Sequence, residues 1–276
     1  KSLLTDVSVP LLKVSGLRYD KLISDRKLIF NKLDINNPIL NFEIYAVTKK
    51  DSSKKEFKLK NLDLYKLVKK NTDEIKGTKL NINNVSLNIK TFGKSKNQNI
   101  SFNNIYAYIS GLHIDSTTNI ISDKLFYSDD ITFEIKDFSQ ILKDSLNTLS
   151  AKSIRLSTGK KEIQIDTFTV KPNYDKTKFS KVKGYQSAAL FLIIDNIRVS
   201  KIDVLELIEH QKLIAKFLVI DKMDLYAYKD MNVEHNDTLI KKHYIEEILQ
   251  APIYLNIDIV KIQNSKITFE QLSEGA

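Results

Sequence analysis

The chain has no cysteine among its 276 residues. That excludes disulfides, thiolate metal sites and thiol catalysis, and it suits a reducing or an oxidising compartment equally. Glycine is scarce, with seven residues, and neither G-x-G-x-x-G nor a P-loop is present. A glycine-backbone cradle for phosphates is therefore not expected. Long apolar runs are missing as well. The run "AALFLII" (188–194) is among the longest, far short of the roughly 20 residues that cross a bilayer as a helix. The opening residues, "KSLLTDVSVP", carry no signal peptide, and we read the chain as a mature or internal segment of a longer protein.

What is present describes a folded chain with a substantial core. Hydrophobic residues make up 42% and charged residues 28%, so neither a disordered chain nor a membrane bundle is expected. The net charge of +9 speaks first to solubility and association. No nucleic-acid partner is expected, because the lysines are dispersed among Asp and Glu instead of clustering with aromatics. The densest basic stretches, "KKDSSKKEFKLK" (49–60) and "KPNYDKTKFSKVK" (171–183), read as polar loops.

The informative feature is a strand that loses step. In "LNINNVSLNI" (80–89), Leu80 and Ile82 alternate with polar residues, two asparagines follow, and Val85, Leu87 and Ile89 resume one residue out of phase. Similar spacing occurs at Leu12, Val14, Leu17 and Tyr19, and at Ile100, Phe102, Ile105 and Ala107. It recurs at Ile163, Ile165, Phe168 and Val170, and at Leu192, Ile194, Ile197 and Val199. A partial copy sits at Ile257, Ile259 and Ile262. The middle residues are Ser-Gly, Asn-Asn, Asp-Thr or Asp-Asn, which accept turn-like or left-handed backbone. Only Val260-Lys261 departs from this.

Copies starting at 12, 100 and 192, and at 80, 163 and 257, are roughly 90 residues apart. The spacing predicts one continuous repeat domain over 1–276, with units near 1–92, 93–184 and 185–276. Short helices are expected at "DLYKLVKK" (63–70), "SQILKDSLN" (139–147) and "HYIEEILQ" (243–250), where apolar residues have helical spacing. "RKLIFNKLDINNPILNFEI" (26–44) also lies over "QKLIAKFLVIDKMDLYAYK" (211–229), so that Leu33, Ile35, Leu40 and Phe42 fall on Leu218, Ile220, Leu225 and Ala227. Between these, "KIDVLELIEHQKL" (201–213) reads as a helical insert against the shorter "DKLISDRKL". Pro38 marks an edge, a bulge or a strand start. Most of the rest reads as strand, including "DITFEIKDF" (130–138), "KITFEQL" (266–272) and a hairpin over 152–166 turning at Gly159.

The slip has two physical readings. A β-bulge keeps both apolar halves on one face while bending and twisting the strand. A two-residue hairpin turn would leave arms of about three residues, short for stable pairing. The bulge is favoured. The fold class expected is mainly β: a long curved antiparallel sheet, a repeating β-groove with bulged strands and a few short helices.

At this level the strand pairs of "LIIDNIRVSKID…HQKLIAKFLVIDKMDLYAY" and the closing "IDIVKIQNSKITFEQLSEGA" resemble the AsmA-like proteins of Gram-negative envelopes. The Asn/Lys/Ile-rich composition is similar to members from the Bacteroidetes. The resemblance covers most of the chain and rests on diffuse patterning, without a catalytic signature. It implies a periplasmic β-groove, anchored to the inner membrane by an N-terminal helix not contained in this segment. It also implies a role in outer-membrane homeostasis through phospholipid transport.

No catalytic constellation emerges, and no enzyme, cofactor or metal is expected. His243 with Glu246 and Glu247 has helical spacing but lacks a third ligand, and Ser52 with Lys55 forms an isolated S-x-x-K. The other histidines are His113, His210 and His235. "DSTT" (115–118) and "YSDD" (127–130) read as loops. The expected partner is a phospholipid or other acyl-chain lipid, with envelope proteins as further partners. The lipid-contacting face is expected to comprise Leu33, Ile35, Leu40, Phe42, Leu80, Ile82, Val85 and Leu87; then Ile100, Phe102, Ile105, Ile163, Ile165, Phe168 and Val170; and Leu192, Ile194, Ile197, Leu218, Ile220, Ile257 and Ile259. The competing reading is an envelope scaffold with a closed β core and no ligand.

Overall fold

The computed structural model describes residues 2–45, 64–92, 98–118, 127–142, 145–235 and 254–273. The elements run β1 (Ser2–Ser8), β2 (Leu11–Ser15), α1 (Tyr19–Asp25), β3 (Lys27–Asn36), β4 (Ile39–Tyr45) and α2 (Leu64–Val68). Next come β5 (Glu74–Phe92), β6 (Gln98–Ile114), β7 (Asp130–Ile141), β8 (Asn147–Ser157) and β9 (Glu162–Pro172). The series ends with α3 (Lys176–Lys183), β10 (Ala188–Ile202), α4 (Val204–His210), β11 (Lys212–Asp230), β12 (Tyr254–Gln263) and β13 (Lys266–Leu272). The fold is mainly β, as the patterning predicts, and the strands form a 13-stranded sheet that does not close on itself.

The sheet is mixed, not antiparallel throughout. β3 and β4 pair in parallel with β5, and β12 and β13 pair in parallel with β11. A parallel pair needs a crossover of a dozen or more residues. Residues 46–73 and 231–253 supply that length. Alternation reveals a strand but not its direction, so the expected antiparallel sheet is corrected to a mixed one.

Several helix expectations are corrected. α2 falls inside 63–70 as predicted. In 139–147 the described residues are instead the end of β7, through Ile141, and the start of β8 at Asn147, with 143–144 outside the described residues. The stretch 243–250 lies outside the described residues, as does 49–60. The basic stretch 171–183 holds α3 where a loop was expected: the Asp175 carboxylate accepts from Thr177 N at 2.9 Å, and Gly184 closes the helix with φ 84°. The hairpin over 152–166 is present as β8 and β9, with Gly159 in the turn.

The chain divides into two compact units, one of residues 1–136 with 156–160, the other of 137–155 with 161–276. Each contains the same arrangement. In the first, β1 and β2 are antiparallel to β4 and β3, and both of those lie parallel on the long β5. In the second, the long β10 is antiparallel to β11, and β12 and β13 lie parallel on β11. The counterparts sit 185 residues apart (211 minus 26) from β1 through β4, and 180 apart (254 minus 74) from β5 onward. Leu33, Ile35, Leu40 and Phe42 thus occupy the places of Leu218, Ile220, Leu225 and Ala227, as the sequence overlay predicts. The supposed insert is absent: α1 and α4 are both seven residues long, and each ends on a left-handed residue, Arg26 and Gln211. The spacing also paired the wrong copies, since the counterpart of Leu12 is Ile197, not Leu192.

Candidate lipid-contacting face

The step at Asn83-Asn84 is a bulge. β5 runs unbroken through it, Asn84 adopts φ 57°, and the ladder with β6 shifts between Ile82 and Val85. It shifts back between Val85 and Leu87, next to the left-handed Asn104 of β6, so two opposed bulges restore the register. Asn37, also left-handed, lies level with Asn84 and accepts its amide at 2.8 Å. Pro38 stands in the gap between β3 and β4, where a missing N–H costs no ladder bond.

The second unit has the same line without inserted residues. Thr167 of β9 (φ 49°) and Lys222 of β11 (φ 54°) flank Asp195 of β10, and Asn264 (φ 53°) continues the line between β12 and β13. A second line lies six residues away. Gly16 (φ 67°) and Gly111 (φ 62°) belong to it in the first unit, Lys161 (φ 52°) and Lys201 (φ 57°) in the second. The copy at 12–19 is this second line, a strand-to-helix corner at Gly16 and not a bulge within a strand. Burial along β10 follows the steps: Ile194, Val199 and Ile202 are buried, while Ile193, Asp195, Arg198 and Lys201 are exposed. The phase of burial changes at each line, which keeps the apolar residues on one side.

Residues directly opposite each other in a ladder share a face. In the first unit this aligns Val14, Leu33, Leu80, Ile109 and Ile131 in one row, and Leu12, Ile35, Ile82, Ala107 and Phe133 in the next. Beyond the bulge, Val85 pairs with Ile105, Leu40 with Leu87, Leu87 with Phe102 and Phe42 with Ile89, and Ile100 is the backbone register partner of Ile89. In the second unit the rows are Ile163, Val199, Leu218 and Val260; Ile165, Ile197, Ile220 and Ile262; Phe168, Ile194 and Met223; and Val170, Leu192, Leu225 and Ile267. Each such pair is worth about 0.2–1 kcal/mol over alanines.

Ile257 lies level with Ala215 and Ile202 and packs, with Ile163, Leu207 and Leu218, against the buried cluster of Val199, Ile202 and Ala215, which continues the face beyond the Val260 row. One of the expected residues departs from the rows. Ile259 pairs with Phe217, one residue out of step with Val260 and Leu218. The step in this part of the chain is at Asn264, not at Val260-Lys261, which is why the partial copy placed Ile259 wrongly. The sequence reading also missed Val260, Ile267 and Met223 from the face. The parallel pairing on β11 assigns Val260 and Ile267, and no local signal carries it.

The residues between the rows carry hydrogen-bonded polar ladders on the other side. Ser101 donates to Asn88 at 2.9 Å, Asn88 to Asn41 at 2.9 Å, and Asn41 to Asp6 at 3.2 Å, all in one cross-strand row. Asn81 donates to Asp34 at 2.8 Å, and Asp34 also meets Lys32. Those contacts, Lys32 foremost, hold the Asp34 carboxyl below its usual range. In the second unit Asp166 accepts from Ser153, Gln164 and Asn196. Burial raises its pKa, but these bonds outweigh it and the net direction is down. A shallow depression lined by Asp6, Asn41, Phe42, Glu43, Asn88 and Lys90 sits on this polar ladder.

Among the described residues, Glu74, His113 and Asp115 bring three potential ligand atoms within 4.8 Å of one another. His113 Nε2 lies 3.0 Å from Glu74 and 3.2 Å from Asp115. Lys27 holds Glu74 at 3.0 Å, while Thr117 and Thr118 donate to Asp115. The cluster is a set of ion pairs and turn bonds joining β3, β5 and the end of β6. Among the described residues no helix is long and apolar enough to cross a membrane. Comparison with family models, curated proteins and solved structures finds no match to this chain.

Proposed function

We propose that this chain is a non-enzymatic lipid-binding segment of AsmA-like type that conducts acyl chains along its apolar face in the periplasm. In the full protein it is anchored to the inner membrane and contributes to outer-membrane phospholipid transport. One observation carries the reading: apolar rows continue from strand to strand in each unit, while hydrogen-bonded polar rows occupy the reverse face. Each lipid methylene buried on such a face contributes ~0.8 kcal/mol. Equivalent apolar positions in succession bind without a single trapping site. Several row residues, Ile165, Ile197, Ile220 and Leu225 among them, remain only half-buried in the protein.

Photocrosslinking tests the reading. A photoreactive residue at Ile82 or Ile165, in protein purified from bacterial envelopes, is expected to capture phospholipid detectable by mass spectrometry. Ile220→Lys, in the same row as Ile165, is expected to abolish capture there. Crosslinks to protein alone at both positions, with no lipid, would overturn it.

A further inference from the structure

Strand register brings Glu74, His113 and Asp115 together. Lys27 of β3 is the partner of Glu74 of β5, and Lys76 of β5 is the partner of His113 of β6. One pair past Ile75 and Ile114, the β5–β6 ladder sets Glu74 level with Asp115. Like charges directly opposite are destabilising, and the fold does not require them. The second unit has Lys212 and Tyr254 in the places of Lys27 and Glu74.

Each carboxylate has one oxygen engaged and one turned inward. Asp115 Oδ1 accepts from Thr117 N, Thr117 Oγ1 and Thr118 N at 2.8 Å and from Thr118 Oγ1 at 2.9 Å. Its Oδ2 is left facing His113 Nε2 at 3.2 Å. Lys27 Nζ holds Glu74 Oε2 at 3.0 Å, and Glu74 Oε1 faces the same Nε2, also at 3.0 Å. Two carboxylate oxygens thus converge on one ring nitrogen, which carries at most one hydrogen. All three side chains keep partial exposure, so water reaches the point where they meet.

We infer that Glu74, His113 and Asp115 form a binding site for a divalent transition-metal ion, Zn²⁺ in preference to Mg²⁺ or Ca²⁺, with water as the fourth ligand. An imidazole nitrogen and carboxylate oxygens are zinc ligands, whereas the hard cations take oxygen alone. The separations fit. Ligand atoms roughly 2.0–2.1 Å from a tetrahedral ion lie about 3.3 Å from one another, and Nε2 already stands 3.0 and 3.2 Å from the two oxygens. The outer shell is in place as well. Ligating carboxylates are themselves hydrogen-bonded, and Thr117, Thr118 and Lys27 do this on the outer oxygens. A bound ion clasps β5 to the end of β6 and to the turn at 115–118, and it replaces the repulsion between Glu74 and Asp115 with a shared cation. The site does not rest on the lipid-binding reading.

Calorimetric titration of the purified chain with Zn²⁺ tests the inference, with amide exchange followed on the same samples. The expected result is a tight zinc site that Mg²⁺ does not displace, with exchange slowed over residues 74–76 and 113–118. Asp115→Asn keeps an oxygen for Thr117 and Thr118 but turns an amide NH₂ toward the ion, and it is expected to weaken this binding by at least about tenfold. His113→Gln is expected to do the same. No zinc binding would overturn the inference. So would binding left unchanged in either variant, which would assign the ion to His210, His235 or His243. Should a variant lose its β content by circular dichroism, the exchange map of the unaltered chain decides, and zinc-dependent slowing confined to other segments would overturn the site.

Discussion

The Phe30 ring fills the space above Gly77, its direct partner across the β3–β5 ladder, so closely that a Cβ on Gly77 would stand 2.4 Å from it. The counterpart pair in the second unit is Ala215 with Ile257, the same volume divided the other way. Overpacking of this kind costs about 1–3 kcal/mol, and removing a buried phenylalanine about 3–5 kcal/mol. Gly77→Ile and Phe30→Ala are each expected to lower the unfolding free energy measured in urea by those amounts. The double variant, which copies the second unit, is expected to recover most of the loss. Two effects that merely add would show that the pair does not share one space.

Thr167 is a β-branched residue held at φ 49° on an exposed position. Left-handed backbone costs an ordinary L-residue roughly 1–2 kcal/mol, and asparagine tolerates it best after glycine. Thr167→Asn is therefore expected to raise stability by about 0.5–1 kcal/mol. Asn84→Val is expected to lower it by about 1–2 kcal/mol, with the loss of the Asn37 bond in addition. Thermal melts of the two variants read both directions. Equal melting temperatures would mean that the step needs no left-handed residue.

Asp115 gives the pH dependence its sign. Burial raises its pKa, but hydrogen bonds from Thr117 and Thr118 outweigh burial and hold the group at about 2, against an ordinary 3.8. A depressed folded value means the contribution is complete above the unfolded value and is lost as pH falls through the folded one. The loss therefore falls between about pH 4 and pH 2. Asp115→Asn is expected to flatten the urea midpoint against pH in that window. Parallel curves for the two proteins would count against it.

Lys176 of α3 donates to the Tyr226 hydroxyl at 2.7 Å and to Glu270 at 2.9 and 3.0 Å, and Tyr226 donates to Glu270 as well. Tyr226 first, then Glu270, raises the lysine pKa. The group is exposed, so its effect on the whole protein is small. Its local effect is to tie β13 to α3. Lys176→Met is expected to speed amide exchange over residues 266–272 and leave that of β12 unchanged. Uniform exchange across both strands would show that the tie is inert.

Strands were legible because Ile, Leu and Val alternate with Asn, Asp and Lys in short runs, and the pairs Asn83-Asn84 and Asn103-Asn104 announced their own bulges. The overlay of 26–44 on 211–229 was legible for the same reason. The equality of α1 and α4 was not. "YDKLISD" lacks the Asp N-cap that marks "VLELIEH", whose Asp203 accepts from Glu206 N. Strand direction was hidden because it depends on crossover length and not on side chains. For the candidate face, the rows centred on Leu80 and Ile165 could be read from alternation alone. Val260, Ile267 and Met223 could not, since only the strands beside them say which side they share.

The left-handed residues act as frame markers. Each resets the parity of the residues that follow it, independently of what those residues are. Exchanges within a row are local changes of volume. A single deletion next to Asn84 would instead turn Val85 through Phe92 over and exchange the two faces of the sheet beyond that point. Removing or adding a whole repeat between equivalent markers leaves parity untouched. A sheet built this way lengthens or shortens in complete units far more readily than it tolerates the gain or loss of one residue.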